Sequence, residues 1–168
     1  MKERNIDDNV KQDIIEIFET VKEAVRRNEG RSRAGLMLGL QELGASFDGF
    51  IGAYHPVTSN IIVLNKTPLR RIIQTNKKLL KPYIFHILLH EYIHALGFLD
   101  EYTTQKKTYE ISKKYFGEKH IVTQLSADIK KFLPNIVHLL HGWMPPEDST
   151  KIELVQGFDR SSTNFYIN

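Results

Sequence analysis

His90-Glu91-Tyr92-Ile93-His94-Ala95-Leu96-Gly97-Phe98-Leu99-Asp100-Glu101-Tyr102 is the stretch on which the fold turns. It closes a segment, 82–96, in which Tyr83, Ile84, Phe85, Ile87, Leu88, Leu89, Ile93, Ala95 and Leu96 make almost every remaining position apolar. That pattern predicts one buried helix. Pro82 suits its first turn and Gly97 a left-handed stop. Residues four apart on a helix differ by about 40° around the axis and about 6 Å along it. His90 and His94 therefore share a face and can both reach one ion.

Burying two imidazoles and a carboxylate is costly unless something binds them. H-E-x-x-H on a helix is a zinc-hydrolase signature with a physical basis. The histidines ligate the metal, and Glu91, next to the first of them, can hold and deprotonate a water there instead of binding the ion itself. The alternative is a core helix whose histidines are hydrogen-bonded and whose glutamate is paired.

The longer pattern, H-E-x-x-H-x-x-G-x-x-D, resembles the metzincin clan of zinc peptidases, and within it the snapalysin-like minority that carry aspartate at the last position. The resemblance implies a zincin-like fold, Zn²⁺ as cofactor and a sharp turn at Gly97. It also implies His90, His94 and Asp100 as ligands, Glu91 as general base, and a peptide or protein as substrate. It spans only this motif. The chain as a whole is also similar to small prokaryotic zincin-like proteins with H-E-Y-x-H-x-L-G-x-x-D-E.

The third ligand stays open on residue chemistry alone. Asp100 has a donor that zinc accepts. It can equally be a carboxylate orienting a ligand histidine, or the N-cap of the next helix. Glu101 can take its place after a small change in the turn, and Glu110 would suit a glutamate supplied from a following helix. His120 is the alternative outside the motif, since imidazole is a common zinc ligand. Tyr102 and Tyr109 are the nearest groups for an oxyanion. His86 lies about 80° from His94 and reads as a core or supporting histidine. His55 reads as solvated, and His138 and His141 as structural. Met144, before Pro145, resembles the methionine turn beneath the zinc in metzincins but reads first as packed core.

Outward from the motif, 6–28 carries Val10, Ile14, Phe18, Val21 and Val25 at helical spacing, with Gly30 as the stop. Residues 34–43 alternate in part and predict a strand, and 50–54 and 60–65 predict two more around a Pro-containing loop. Thr67-Pro68 predicts an N-cap and first residue for a helix to about Leu80. Further helices are expected at 103–116 and from 121 to about 140, the latter broken near Pro134. Residues 145–168 read as irregular. Strands before the metal helix and helices after it predict an α+β fold: a small twisted sheet against the active-site helix, followed by further helices. Asn60-Ile61-Ile62-Val63-Leu64-Asn65 is the best candidate for a cleft-lining edge strand that pairs with an extended peptide. A central core strand is the equal alternative.

Composition bounds the rest. At 168 residues and 41% hydrophobic, the chain is expected to form one domain over 1–168. No apolar run is long enough for a membrane span, and 1–9 lacks the apolar core of a signal peptide. The absence of cysteine excludes disulfides and thiolate ligands and favours a cytoplasmic location. A net charge of +3 does not by itself call for a nucleic-acid partner. Lys66, Arg70, Arg71, Lys77, Lys78 and Lys81 read as a solvated helix face. They are also the only extra support for an alternative function. The small endoribonucleases of ribosomal RNA maturation use H-x-x-x-H-x-x-G-x-x-H, from which this chain departs at Glu91 and Asp100. A non-catalytic or latent zinc-binding module is the other alternative. Oligomeric state has no signature in the sequence.

Overall fold

The computed structural model describes residues 5–45, 51–133 and 151–159. Among them are six α-helices and one four-stranded mixed sheet, an α+β architecture. The first helix, α1 (Asp8–Glu29), is capped by Asp7, whose side chain accepts from Asn9 N. Its apolar stripe of Val10, Ile14, Phe18, Val21 and Val25 is buried, and Gly30 closes it at φ +64°, as its sequence predicts.

Strand β1 (Met37–Gln41) turns Leu38 and Leu40 into the core. β2 (Ala53–Tyr54) and β3 (Ile61–Asn65) follow, and β4 (Glu153–Val155) comes near the end of the chain. The order across the sheet is β2-β3-β1-β4. β1 runs parallel to β3 with Leu38 beside Ile62 and Leu40 beside Leu64, while β2 and β4 pair antiparallel on the two outer sides. Residues 60–65 are thus not the edge: β3 has a neighbour on each side, and β2 takes the edge. Residues 145–168 are not wholly irregular either, because β4 pairs with β1. Only three residues long, it carries too short an alternation to stand out from a polar context.

Asn65 ends β3 and organises the turn into α2 (Lys66–Thr75). Its side chain is fully buried and uses both ends: Oδ1 accepts from Thr67 N (3.0 Å) and Leu43 N (3.0 Å), and Nδ2 donates to Gly44 O (3.0 Å) and Ile51 O (2.8 Å). Asn65, not Thr67, is therefore the N-cap, and the helix starts at Lys66, two residues before the predicted Pro68. Removing the amide leaves several buried backbone groups unsatisfied. Asn65→Ala is expected to lower unfolding stability by about 2–4 kcal/mol, read from urea melts at pH 7.

α2 ends at Thr75 rather than near Leu80, and a 3₁₀ turn (Lys77–Leu79) leads into α3 (Leu80–Ala95). This is the buried helix the sequence predicts. It packs against α1, α4 (Glu101–Phe116), α5 (Ile121–Ala127), β2 and β3. Tyr92, fully buried, meets Phe18 edge-on at 5.4 Å. α6 (Ile129–Phe132) follows an additional break at Asp128, which the sequence did not predict, and ends two residues before Pro134. Pro134, His138, His141 and Met144 lie outside the described residues. No helix among the described residues is long and apolar enough to cross a membrane.

The basic stretch is only partly a solvated face. Arg71, Lys77, Lys78 and Lys81 are exposed, but Lys66 is buried and pairs with Glu153 at 2.9 Å, and Arg70 pairs with buried Glu42. Both acids lie far away in sequence, so the pairing had no local signature.

Candidate metal centre

The site forms where α3 stops. Gly97 adopts φ +107°, open to glycine and strained for other residues, and its N–H bonds to His94 O at 2.9 Å. The chain then doubles back, so that Phe98 O lies 2.7 Å from His94 Nδ1. A carbonyl only accepts, so Nδ1 carries the proton and the lone pair of a neutral His94 sits on Nε2. Thr104, fully buried on α4, braces the same turn: its hydroxyl is 3.1 Å from Phe98 O, 2.9 Å from Asp100 O and 3.4 Å from His94 Nδ1.

Asp100 caps α4. Its carboxylate accepts from Thr103 N at 2.9 Å, and hydrogen bonds from Thr103 hold the carboxyl below its usual range. A carboxylate committed to the helix start does not turn toward the histidines, and the structure does not bring Asp100 to them. The cap instead makes Glu101 the first residue of α4. Glu101 Oε1 is 2.8 Å from His94 Nε2, and Oε2 is 3.3 Å from His90 Nε2. The imidazole rings meet edge-on with centroids 4.9 Å apart. One donor atom from each of His90, His94 and Glu101 lies within 4.8 Å of the others.

This donor set fits zinc. Two imidazole nitrogens and one carboxylate oxygen are a ligand combination of catalytic zinc sites, which keep a fourth position open. Bonds of about 2.0–2.1 Å in a tetrahedron put ligand atoms about 3.3 Å apart, the His90–Glu101 spacing; the His94–Glu101 contact must open by about half an ångström. That contact is itself informative. With Nδ1 donating to Phe98, a neutral His94 aims a lone pair at a carboxylate oxygen 2.8 Å away. Two acceptors at that distance need a proton or a cation between them.

Glu91 lies beside the triad, 7% exposed. Burial pushes its carboxyl up to about 7; His94 opposes the shift and Glu101 adds to it. Among the described residues no ion pair or hydrogen bond engages it, so none of them supplies the partner that a paired core glutamate would have. Burial, followed by the repulsive His94, lowers the pKa of His90, against the attraction of Glu101.

The other residues singled out by the sequence lie elsewhere. His120 caps α5, accepting from Val122 N at 3.2 Å, and stacks on Phe116. His86 meets Ser126 at 3.1 Å, and burial, with His90 beside it, pushes it down to about 4. Glu110 is exposed on α4. Tyr102 is 76% exposed, and Tyr109 is half-buried. Thr104 and the Phe98 carbonyl escaped sequence reasoning: a backbone carbonyl has no residue signature, and a threonine in a helix's first turn has many uses.

No family model, curated protein or solved structure matches the chain.

Proposed function

We propose that the chain is a zinc-dependent hydrolase that cleaves peptide bonds, with His90, His94 and Glu101 as ligands and Glu91 as general base. The observation that carries this proposal is the convergence of the three donors beside a buried carboxylate that no described residue engages. Zinc, when bound, supplies Lewis-acid polarisation of a carbonyl and acidifies a water to about neutral. The residues divide the remaining work. His94 is held in one tautomer by Phe98 O, which aims Nε2 at the site. Glu101, delivered by the Asp100 cap, closes the donor set. Glu91 takes a proton from the attacking water and returns it to the leaving amine, a role suited by a pKa near the working pH. RNA cleavage has less support, because Lys66 and Arg70 of the basic stretch are engaged by carboxylates.

The test is metal analysis joined to cleavage. The dialysed protein is expected to hold one zinc per chain and to degrade unfolded casein but not structured RNA. 1,10-Phenanthroline should abolish cleavage, and the double variant His90→Ala, His94→Ala should lose both metal and activity. Stoichiometric zinc in the double variant would sink the site; cleavage of RNA but not casein would replace the substrate.

A further inference from the structure

The loop between β2 and β3, residues 55–60, is held more tightly than a surface connection requires. Ser59 bonds to Pro56 O from its backbone N (3.1 Å) and from Oγ (2.6 Å). His55 Nδ1 is 2.8 Å from Ile61 O, a carbonyl, and so donates to it. Thr58 sits at φ +66°. For a β-branched residue that is a strained conformation, and such strain persists only where the surroundings over-determine the backbone. It concentrates at functional sites.

Arg33, in the segment between α1 and β1, supplies the external anchor. One guanidinium nitrogen donates to Ser59 O at 2.6 Å and the other to Ala95 O at 2.9 Å, while the backbone N–H donates to Tyr92 OH at 2.9 Å. Ala95 follows the ligand His94 and ends α3. A single planar fork thus spans the loop and the end of the metal helix, a geometry lysine cannot reproduce. The loop also lies within electrostatic reach of the site. Burial holds the His55 imidazole below its usual range against the bond to Ile61 O, and the charges of Arg33 and His94 add to that lowering.

We propose that Arg33 is a positioning residue of the metal site, fixing loop 55–60 as the wall against which an extended substrate lies. This inference rests on the assignment of the triad as a hydrolytic centre. The hydrogen bonds of Arg33 run to Tyr92, Ala95 and Ser59 and to no ligand side chain, so its loss should leave the metal in place and act on substrate binding through the loop.

Casein cleavage kinetics, zinc content and thermal midpoint of wild type, Arg33→Ala, Arg33→Lys and Thr58→Gly test this. Arg33→Ala should keep its zinc and raise KM about tenfold, with kcat changed less than about twofold. Arg33→Lys should recover only part of the loss. Thr58→Gly relieves the strain and loosens the loop, so KM should rise while the thermal midpoint holds or increases. That combination cannot come from general destabilisation, and it decides the matter should Arg33→Ala fail to fold. Wild-type KM in both Arg33→Ala and Thr58→Gly overturns the proposal, as does zinc loss in Arg33→Ala or a fall confined to kcat. A wild type without zinc-dependent cleavage overturns the hydrolase assignment and this inference with it. An active wild type with KM unmoved in the variants overturns this inference alone.

Discussion

Glu91→Gln is expected to keep the fold and the zinc and to lose casein hydrolysis by about 10²–10⁴-fold, the span of general-base catalysis. Glutamine matches glutamate in size and can still hydrogen-bond to a water, but it cannot accept the water's proton. The substitution therefore removes a transition-state term and leaves the donor atoms of His90, His94 and Glu101 untouched. The loss should fall on kcat with KM little changed. Stability should hold or rise, because a carboxyl that burial pushes up to about 7 is one the fold does not ionise freely, and a neutral amide carries no such cost. Zinc content is the internal control. A Glu91→Gln variant that cleaves casein at the wild-type rate would rule out this mechanism.

How much of this was legible in the sequence depends on the range of the interactions involved. The helices α1 and α3 were readable because their determinants are local: a periodic stripe from Val10 to Val25, an apolar run around His90, and glycines at 30 and 97 where positive φ ends each helix. The i, i+4 spacing of His90 and His94 was readable for the same reason. What escaped depends on partners remote in sequence. The central place of β3 is set by β1 and β2, β4 exists because it meets β1, and Lys66 is buried because Glu153 reaches it. The start of α2 lies two residues before the expected one because Asn65, inside an apolar strand pattern, is a cap whose other bonds run to Leu43, Gly44 and Ile51.

The proposed third ligand is the sharpest instance, because spacing alone does not separate Asp100 from Glu101, and only the fold brings the Glu101 carboxylate to the two histidines. Glu101→Ala is expected to weaken zinc binding by more than about 100-fold, since even orienting partners outside the ligand set cost about 10–100-fold. Asp100→Asn should leave zinc affinity close to wild type. Asparagine caps a helix about as well as aspartate and can still accept from Thr103 N, so α4 would begin at the same residue and Glu101 would keep its place. Asp100→Ala should fall between these two, losing about 1 kcal/mol of stability with the cap and some affinity as the helix start loosens. His120→Ala, which removes the N-cap of α5, should leave the metal unaffected. Competition titration with a zinc chelator at pH 7.5 ranks the four variants. If Asp100→Asn loses the metal and Glu101→Ala retains it, the ligand set is His90, His94 and Asp100, and the cap geometry must break when the ion binds. If both retain it, neither acid is a ligand. The expected order, Glu101→Ala far weaker than Asp100→Ala and Asp100→Asn near wild type, follows from the proposed division of labour: Asp100 starts the helix, and Glu101, placed by that start, is the metal ligand of the proposal.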